Sequence, residues 1–231
     1  MKARRLFELK QIVASSYELT AVHFDATRSK IAAADFRWAA GQIKADDEVF
    51  DAGCGNGRLL DYSHLSPEKY LGFDQSRNLL SLAQARHPDY RFLAGELSDL
   101  SIFSDNQFSV IFCSAVISHI PGRLERRQIL SEFLRLSRPG GHLLINFWKM
   151  EGKNKRRLYL TRWQKLIGRH PYGWRDLIFP WKSADGQIIS SRYYHAFTKR
   201  GFRREIQSAG WQIEVVKNDR FNYWLLARRP K

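Results

Sequence analysis

The stretch Glu48–Arg58, Glu-Val-Phe-Asp-Ala-Gly-Cys-Gly-Asn-Gly-Arg, constrains the fold more than any other part of the chain. Val49 and Phe50 read as a short buried strand that ends at Asp51. Gly53, Gly55 and Gly57 follow at alternate positions, and a helix is expected over 57–64. Glycines meet two needs here: a tight turn uses positive φ, and a ligand lying on the backbone needs the absence of Cβ. The spacing is not the dinucleotide fingerprint, since Arg58 stands at its third glycine. It is not a phosphate loop either, since the Lys is missing. What remains is a glycine turn behind an acid, with or without a ligand.

A second apolar run, Tyr70-Leu71-Gly72-Phe73-Asp74, ends in an acid about 20 residues on, the interval at which a carboxylate meets ribose hydroxyls in nucleotide-binding βαβ units. Asp74 is expected to bind ribose; the alternative is a helix cap ahead of Ser76. Strands are expected at 48–52, 69–74, 90–94, 108–113 and 141–148, and helices at 57–64, 77–87 and 123–137. Right-handed βαβ crossovers place all strand C-termini on one edge, where ligands collect. Asp51, Asp74, Glu96 and Ser114 fall at or just past those ends. His119 follows the fourth strand, where a structural role and a role beside the substrate compete. A helix at 198–209, capped by Thr198 and stopped by Gly210, and strands at 211–217 and 221–228 complete the pattern.

The chain of 231 residues reads as one domain, 1–231, with a helical cap over 1–45 and an insertion over 149–191. Leu6, Leu9, Ile12 and Val13 lie on one face of a basic helix at 1–13, and one or two helices occupy 15–43. The formal charge of +15 favours a polyanionic partner, nucleic acid first. Two cysteines without metal-ligand spacing exclude a disulfide framework, and no metal site is expected. The N-terminus carries charge where a signal peptide is apolar, and no run suits a membrane span, so a cytoplasmic protein is expected.

Nine Lys or Arg lie between Lys149 and Arg175 against the single acid Glu151, interleaved with Tyr159, Trp163, Tyr172 and Trp174. Cations bind phosphates and aromatic faces stack on unpaired bases, which suggests RNA contact. A solvated insertion whose aromatics pack on the core is the competing reading.

The Asp51–Gly57 motif resembles motif I of the class I S-adenosylmethionine (SAM) methyltransferases. With Phe24-Asp-Ala-Thr-Arg28, Ala115-Val-Ile-Ser-His-Ile120, Phe147-Trp148 and Arg192-Tyr-Tyr-His-Ala-Phe197, the chain is similar, from about residue 17 to its end, to the tRNA wobble-uridine carboxymethyl methyltransferases. The resemblance implies a Rossmann-like α/β fold: a seven-stranded, mainly parallel sheet with an antiparallel C-terminal strand and helices on both faces. It implies SAM bound by Asp51, Gly53, Gly55, Gly57, Asp74, Gln75, Glu96, Leu97 and Ser114. Either Glu96 or Asp99 faces the adenine, Glu96 being nearer the strand. The implied acceptor is a carboxymethyl group on the wobble uridine of tRNA, and a small activator subunit is an implied partner. Ser118 stands where the family carries the first of two histidines.

A carboxylate acceptor is already ionised at neutral pH, so the site needs cations and donors to hold it rather than a base. Arg28, Arg192, Tyr193 and His195 are suitable, beside His119 and Trp148; Arg28 is equally suited to the methionine carboxylate of SAM. A methyltransferase of a small acid or lipid precursor, or an idle RNA-binding relative, are the alternatives.

Overall fold

The computed structural model describes residues 3–28, 33–150, 153–168, 172–183, 185–218 and 221–231. Strands β1 (Val49–Ala52), β2 (Tyr70–Asp74), β3 (Arg91–Ala94), β4 (Phe108–Cys113) and β5 (Ser137–Trp148) run parallel. β6 (Asp176–Lys182) and β7 (Ile188–His195) form a separate antiparallel hairpin. β8 (Gln212–Asn218) and β9 (Asn222–Arg228) close the main sheet, whose order is β3-β2-β1-β4-β5-β9-β8. β9 is antiparallel to both its neighbours, which makes it the one reversed strand of the seven.

Alternate side chains of the central strands enter different cores, as the two-residue period of a strand requires. Phe50, Ile111, Leu143 and Leu225 meet α4 (Arg123–Leu136) and α6 (Lys199–Ser208) through Leu130, Phe133, Phe202 and Ile206. Val49, Phe112, Leu144 and Trp224 point the other way, onto α2 (Ala33–Ala40) through Phe36 and Ala39. Strands covered on both faces are continuous apolar runs for this reason. Each fully buried Leu or Phe contributes about 1.5–3 kcal/mol. α3 (Arg77–Arg86) starts at Ser76, whose hydroxyl accepts the Leu79 N–H at 3.2 Å. Thr198 caps α6 in the same way through the Gly201 N–H.

Two expectations are corrected. The helix over 57–64 is only a 3-10 turn, Arg58–Asp61; Leu59 and Leu60 are both buried, and Pro67 interrupts the chain shortly after. The N-terminal helices fuse: α1 runs unbroken over Ala3–Arg28. Within the 149–191 insertion, α5 (Lys153–Leu166) is followed by the β6–β7 hairpin. The hairpin packs on α1 through Tyr193, Leu9 and Val13, and on α5 through Leu177, Tyr194 and Leu158. Among the described residues no helix is long and apolar enough to cross a membrane.

Candidate active site

A cavity of about 700 Å³ opens at the C-terminal ends of the parallel strands. Its floor is the glycine turn. Gly53, Gly55 and Gly57 have φ of 76°, 56° and 74°, the left-handed region where a side chain is strained. The Gly53 and Cys54 N–H groups donate to the Phe73 carbonyl at 2.7 and 3.2 Å, which ties the turn to β2. Gly53 and Gly55 line the cavity; Gly57 backs onto Ala83 and His87 outside it.

Asp74 also lines the cavity. Its Oδ2 accepts the Gly55 N–H and its Oδ1 the Ser76 N–H, both at 2.9 Å. Burial raises its pKa against those two bonds. It therefore fixes the turn, while Ser76, not Asp74, caps α3. Asp51 lies beneath the turn, outside the lining, and accepts the Tyr70 hydroxyl at 2.8 Å. Burial pushes its pKa up to about 7, and the Asp74 charge adds to the rise.

Gln75, Glu96, Leu97 and Ser114 complete the wall on this side. Asp99 instead accepts the Ser101 hydroxyl at 2.6 Å within its own turn and is absent from the lining. Ala115, next to Ser114, has φ of 59° and donates its N–H to Asn146 Oδ1 at 2.5 Å. Asn146 is a buried lining residue that sequence reasoning missed; an amide inside the apolar run Leu-Leu-Ile-Asn-Phe is the signal that marked it.

The opposite wall holds His119, Trp148, Arg192 and Tyr194. His119 is 7% exposed, and its Nδ1 lies 2.8 Å from the Tyr193 carbonyl. A carbonyl only accepts, so Nδ1 carries the proton. The ring packs edge-on against Tyr17 and Tyr194, with centroids 5.3 and 5.4 Å away. The Arg192 guanidinium lies 3.5 Å from the centroid of the Trp181 ring, a stacked position that holds it flat and partly desolvated.

Tyr193 and His195 do not reach this cavity. Neighbours along a strand face opposite sides, so Arg192 and Tyr194 point in while Tyr193 and His195 point away. The Tyr193 hydroxyl donates to Asp176 Oδ1 at 2.9 Å, and His195 Nδ1 donates to the same oxygen at 2.8 Å. Burial lowers the His195 pKa, and Arg126 adds to this against the pull of Asp176, so the ring is neutral. The Arg28 side chain lies outside the described residues.

Tyr17 and Phe24 of α1 line the cavity and form its roof. Several bonds hold the helix, among them two to the floor side. Ser76 Oγ donates to Glu18 at 2.6 Å, and Asp25 meets both Asn56 and Arg86 at 2.6 Å. Asn56 belongs to the glycine turn itself, so roof and floor are joined.

The cavity fits an elongated nucleotide-like molecule. Its volume is that of a cofactor pocket. Added Cβ atoms at Gly53 would strike Val116 at 2.3 Å, and a side chain at Gly55 would stand on the floor between Phe24 and Leu79. Asp74 stands at the end of β2, where a carboxylate meets ribose in nucleotide sites, and Glu96 lies just past β3.

Residues 50–145 match the family model described as "Methyltransferase domain". The chain is 28% identical to the tRNA (carboxymethyluridine(34)-5-O)-methyltransferase of Schizosaccharomyces pombe, over 92% of this chain and 94% of the relative. Among solved structures, a SAM-dependent methyltransferase from Methanosarcina mazei superposes with a TM-score of 0.66 at 21% identity, covering 82% of this chain and 95% of that one. A methyltransferase in complex with the Haloferax volcanii Trm112 methyltransferase activator superposes at 0.64 and 14% identity, covering 95% and 98%. The strand order with its single reversed strand, the glycine turn and these matches agree: the chain is a SAM-dependent methyltransferase of the class I fold, similar to the tRNA carboxymethyluridine methyltransferases.

Proposed function

We propose that this methyltransferase esterifies the carboxymethyl group of a wobble uridine in tRNA. The observation that carries the reading is Arg192. Its guanidinium lines the cofactor cavity on the wall opposite the glycine turn, held against Trp181. A planar cation in that place suits a carboxylate, which it meets with two parallel N–H bonds. The name of the S. pombe relative and the basic, aromatic α5 segment, whose Tyr159 and Trp163 are exposed, support the same acceptor.

SAM, when bound, supplies a methyl group on a sulfonium whose sulfur keeps the electron pair of the broken bond. In this reading Asp74 holds the ribose hydroxyls and Glu96 the adenine amino group. Arg192 holds the acceptor carboxylate in line, and Trp148 and Tyr194 offer flat faces to the base. The carboxylate, with a reference pKa near 4, is ionised at neutral pH and no residue has to remove a proton. His119 has an orienting role in this reading, its ring held through Nδ1–H by the Tyr193 carbonyl. A small activator subunit belongs to the reading, as the complex of the H. volcanii neighbour with Trm112 suggests.

The test is nucleoside mass spectrometry of tRNA bearing carboxymethyluridine after incubation with the chain and SAM, with and without an activator. The expected result is one added methyl on that nucleoside. Methylation of a small carboxylic acid with the tRNA unchanged would overturn the acceptor.

A further inference from the structure

A second cavity, of about 380 Å³, lies behind the first across β7. The partition is the strand itself: Arg192 and Tyr194 face the cofactor cavity, and His195 faces the second. The start of α4 divides the two in the same way. Ile120 and Pro121 belong to the first wall, Gly122 and Arg123 to the second.

Arg5, Arg123, Lys165 and Arg175 bring four cations from four parts of the chain to this cavity. Among the described residues its lining holds one carboxylate, Asp176, and the oxygens of that group are already bonded. Oδ1 accepts from Tyr193 and His195, and Oδ2 accepts the Gly173 N–H at 2.8 Å. Arg126, also in the wall, is neutralised by a bidentate pair with Glu205 at 2.9 and 3.0 Å. Lys165 and Arg175 behave differently. Each donates to a backbone carbonyl, of Tyr172 and Ala196 respectively, which uses donors but cancels no charge. The cavity therefore keeps an excess of positive charge in a concave setting. At its rim Trp174 is 51% exposed, with Lys165 Nζ 5.3 Å from its ring centroid.

Concave cations select an anion, and an exposed indole beside them selects a flat π-face. A nucleotide offers both on one unit. A base inside a duplex does not, because its face is stacked. We propose that this cavity takes a nucleotide of an unpaired RNA segment, its phosphate among Arg123, Lys165 and Arg175 and its base on Trp174. The site anchors the RNA whose acceptor nucleotide enters the cofactor cavity; that last link rests on the tRNA reading above.

The experiment uses the full chain and a fluorescein-labelled single-stranded oligouridylate, followed by anisotropy across a salt series, with calorimetry of SAM in parallel. The Arg123→Ala/Arg175→Ala double variant is expected to bind about ten-fold more weakly, with the slope of log K against log salt reduced by about 0.7, the value for one phosphate contact on a single strand. Trp174→Ala is expected to weaken binding about ten-fold with the slope unchanged, and Trp174→Phe to restore most of it. SAM affinity stays the same in all of them. Arg123→Glu, at an exposed position, checks the charge effect without disturbing the Arg175 contact. Wild-type RNA affinity in both Arg variants would overturn the proposal, as would equal competition by duplex RNA. RNA binding without tRNA methylation defeats the acceptor reading and leaves this cavity standing. Methylation of tRNA at an unchanged KM in the double variant defeats the cavity and leaves the acceptor standing.

Discussion

His119 Nδ1 and the Tyr193 carbonyl oxygen are 2.8 Å apart, which joins the loop after β4 to the β6–β7 hairpin at the wall of the cofactor cavity. The bond ties a side chain just past a strand of the main sheet to a strand that is not part of that sheet. Asn has an amide N–H in nearly the position of Nδ1–H. His119→Asn is therefore expected to keep most of the methyl-transfer rate, and His119→Ala to lose about 1–3 kcal/mol of transition-state stabilisation, the range for an abandoned buried partner. Equal loss in both variants, read from kcat/KM, would instead assign the ring a chemical role.

Asp74 both fixes Gly55 and faces the cavity. Asp74→Ala removes a charged acceptor and strands two backbone N–H groups, so SAM binding should weaken by about 1.5–3 kcal/mol. Calorimetry on the folded variant gives the answer. Unchanged affinity would take Asp74 out of the cofactor site.

Arg192→Lys keeps the charge and loses both the fork and the flat stack on Trp181. A drop in kcat/KM for the acceptor of about 2 kcal/mol is expected, with SAM affinity intact. A variant as active as the parent would mean that Arg192 serves only as a point charge or as packing.

Asp51 has a folded pKa near 7, above its unfolded value, because burial penalises the charge. Folding takes up a proton at this group, so its contribution is fully present below about pH 4 and is lost as pH rises through 7. Asp51→Asn keeps an acceptor for the Tyr70 hydroxyl and cannot ionise. Its stability relative to the parent is expected to rise by about 1.4 kcal/mol per pH unit between those limits. Urea melts at several pH values measure this, and a difference independent of pH would contradict it.

The sequence by itself determined the sheet and the floor of the site. Apolar runs gave β1, β2 and β4 nearly to the residue, the first two marked by an acid at their ends, and the alternating glycines announced positive φ that only glycine adopts without strain. These features are local: a buried parallel strand is apolar whatever lies beside it. The tertiary structure decided the substrate wall. Arg192-Tyr-Tyr-His195 reads as a block of four suitable side chains, but it folds as a strand, and its period of two sends Tyr193 and His195 behind the wall. Nothing in those four residues states which pair faces inward; packing of Tyr193 against Leu9 and Val13 of α1, far away in sequence, settles it. The same holds for Asn146 and for the basic cavity. Each depends on distant segments meeting, which composition and spacing along one chain do not encode.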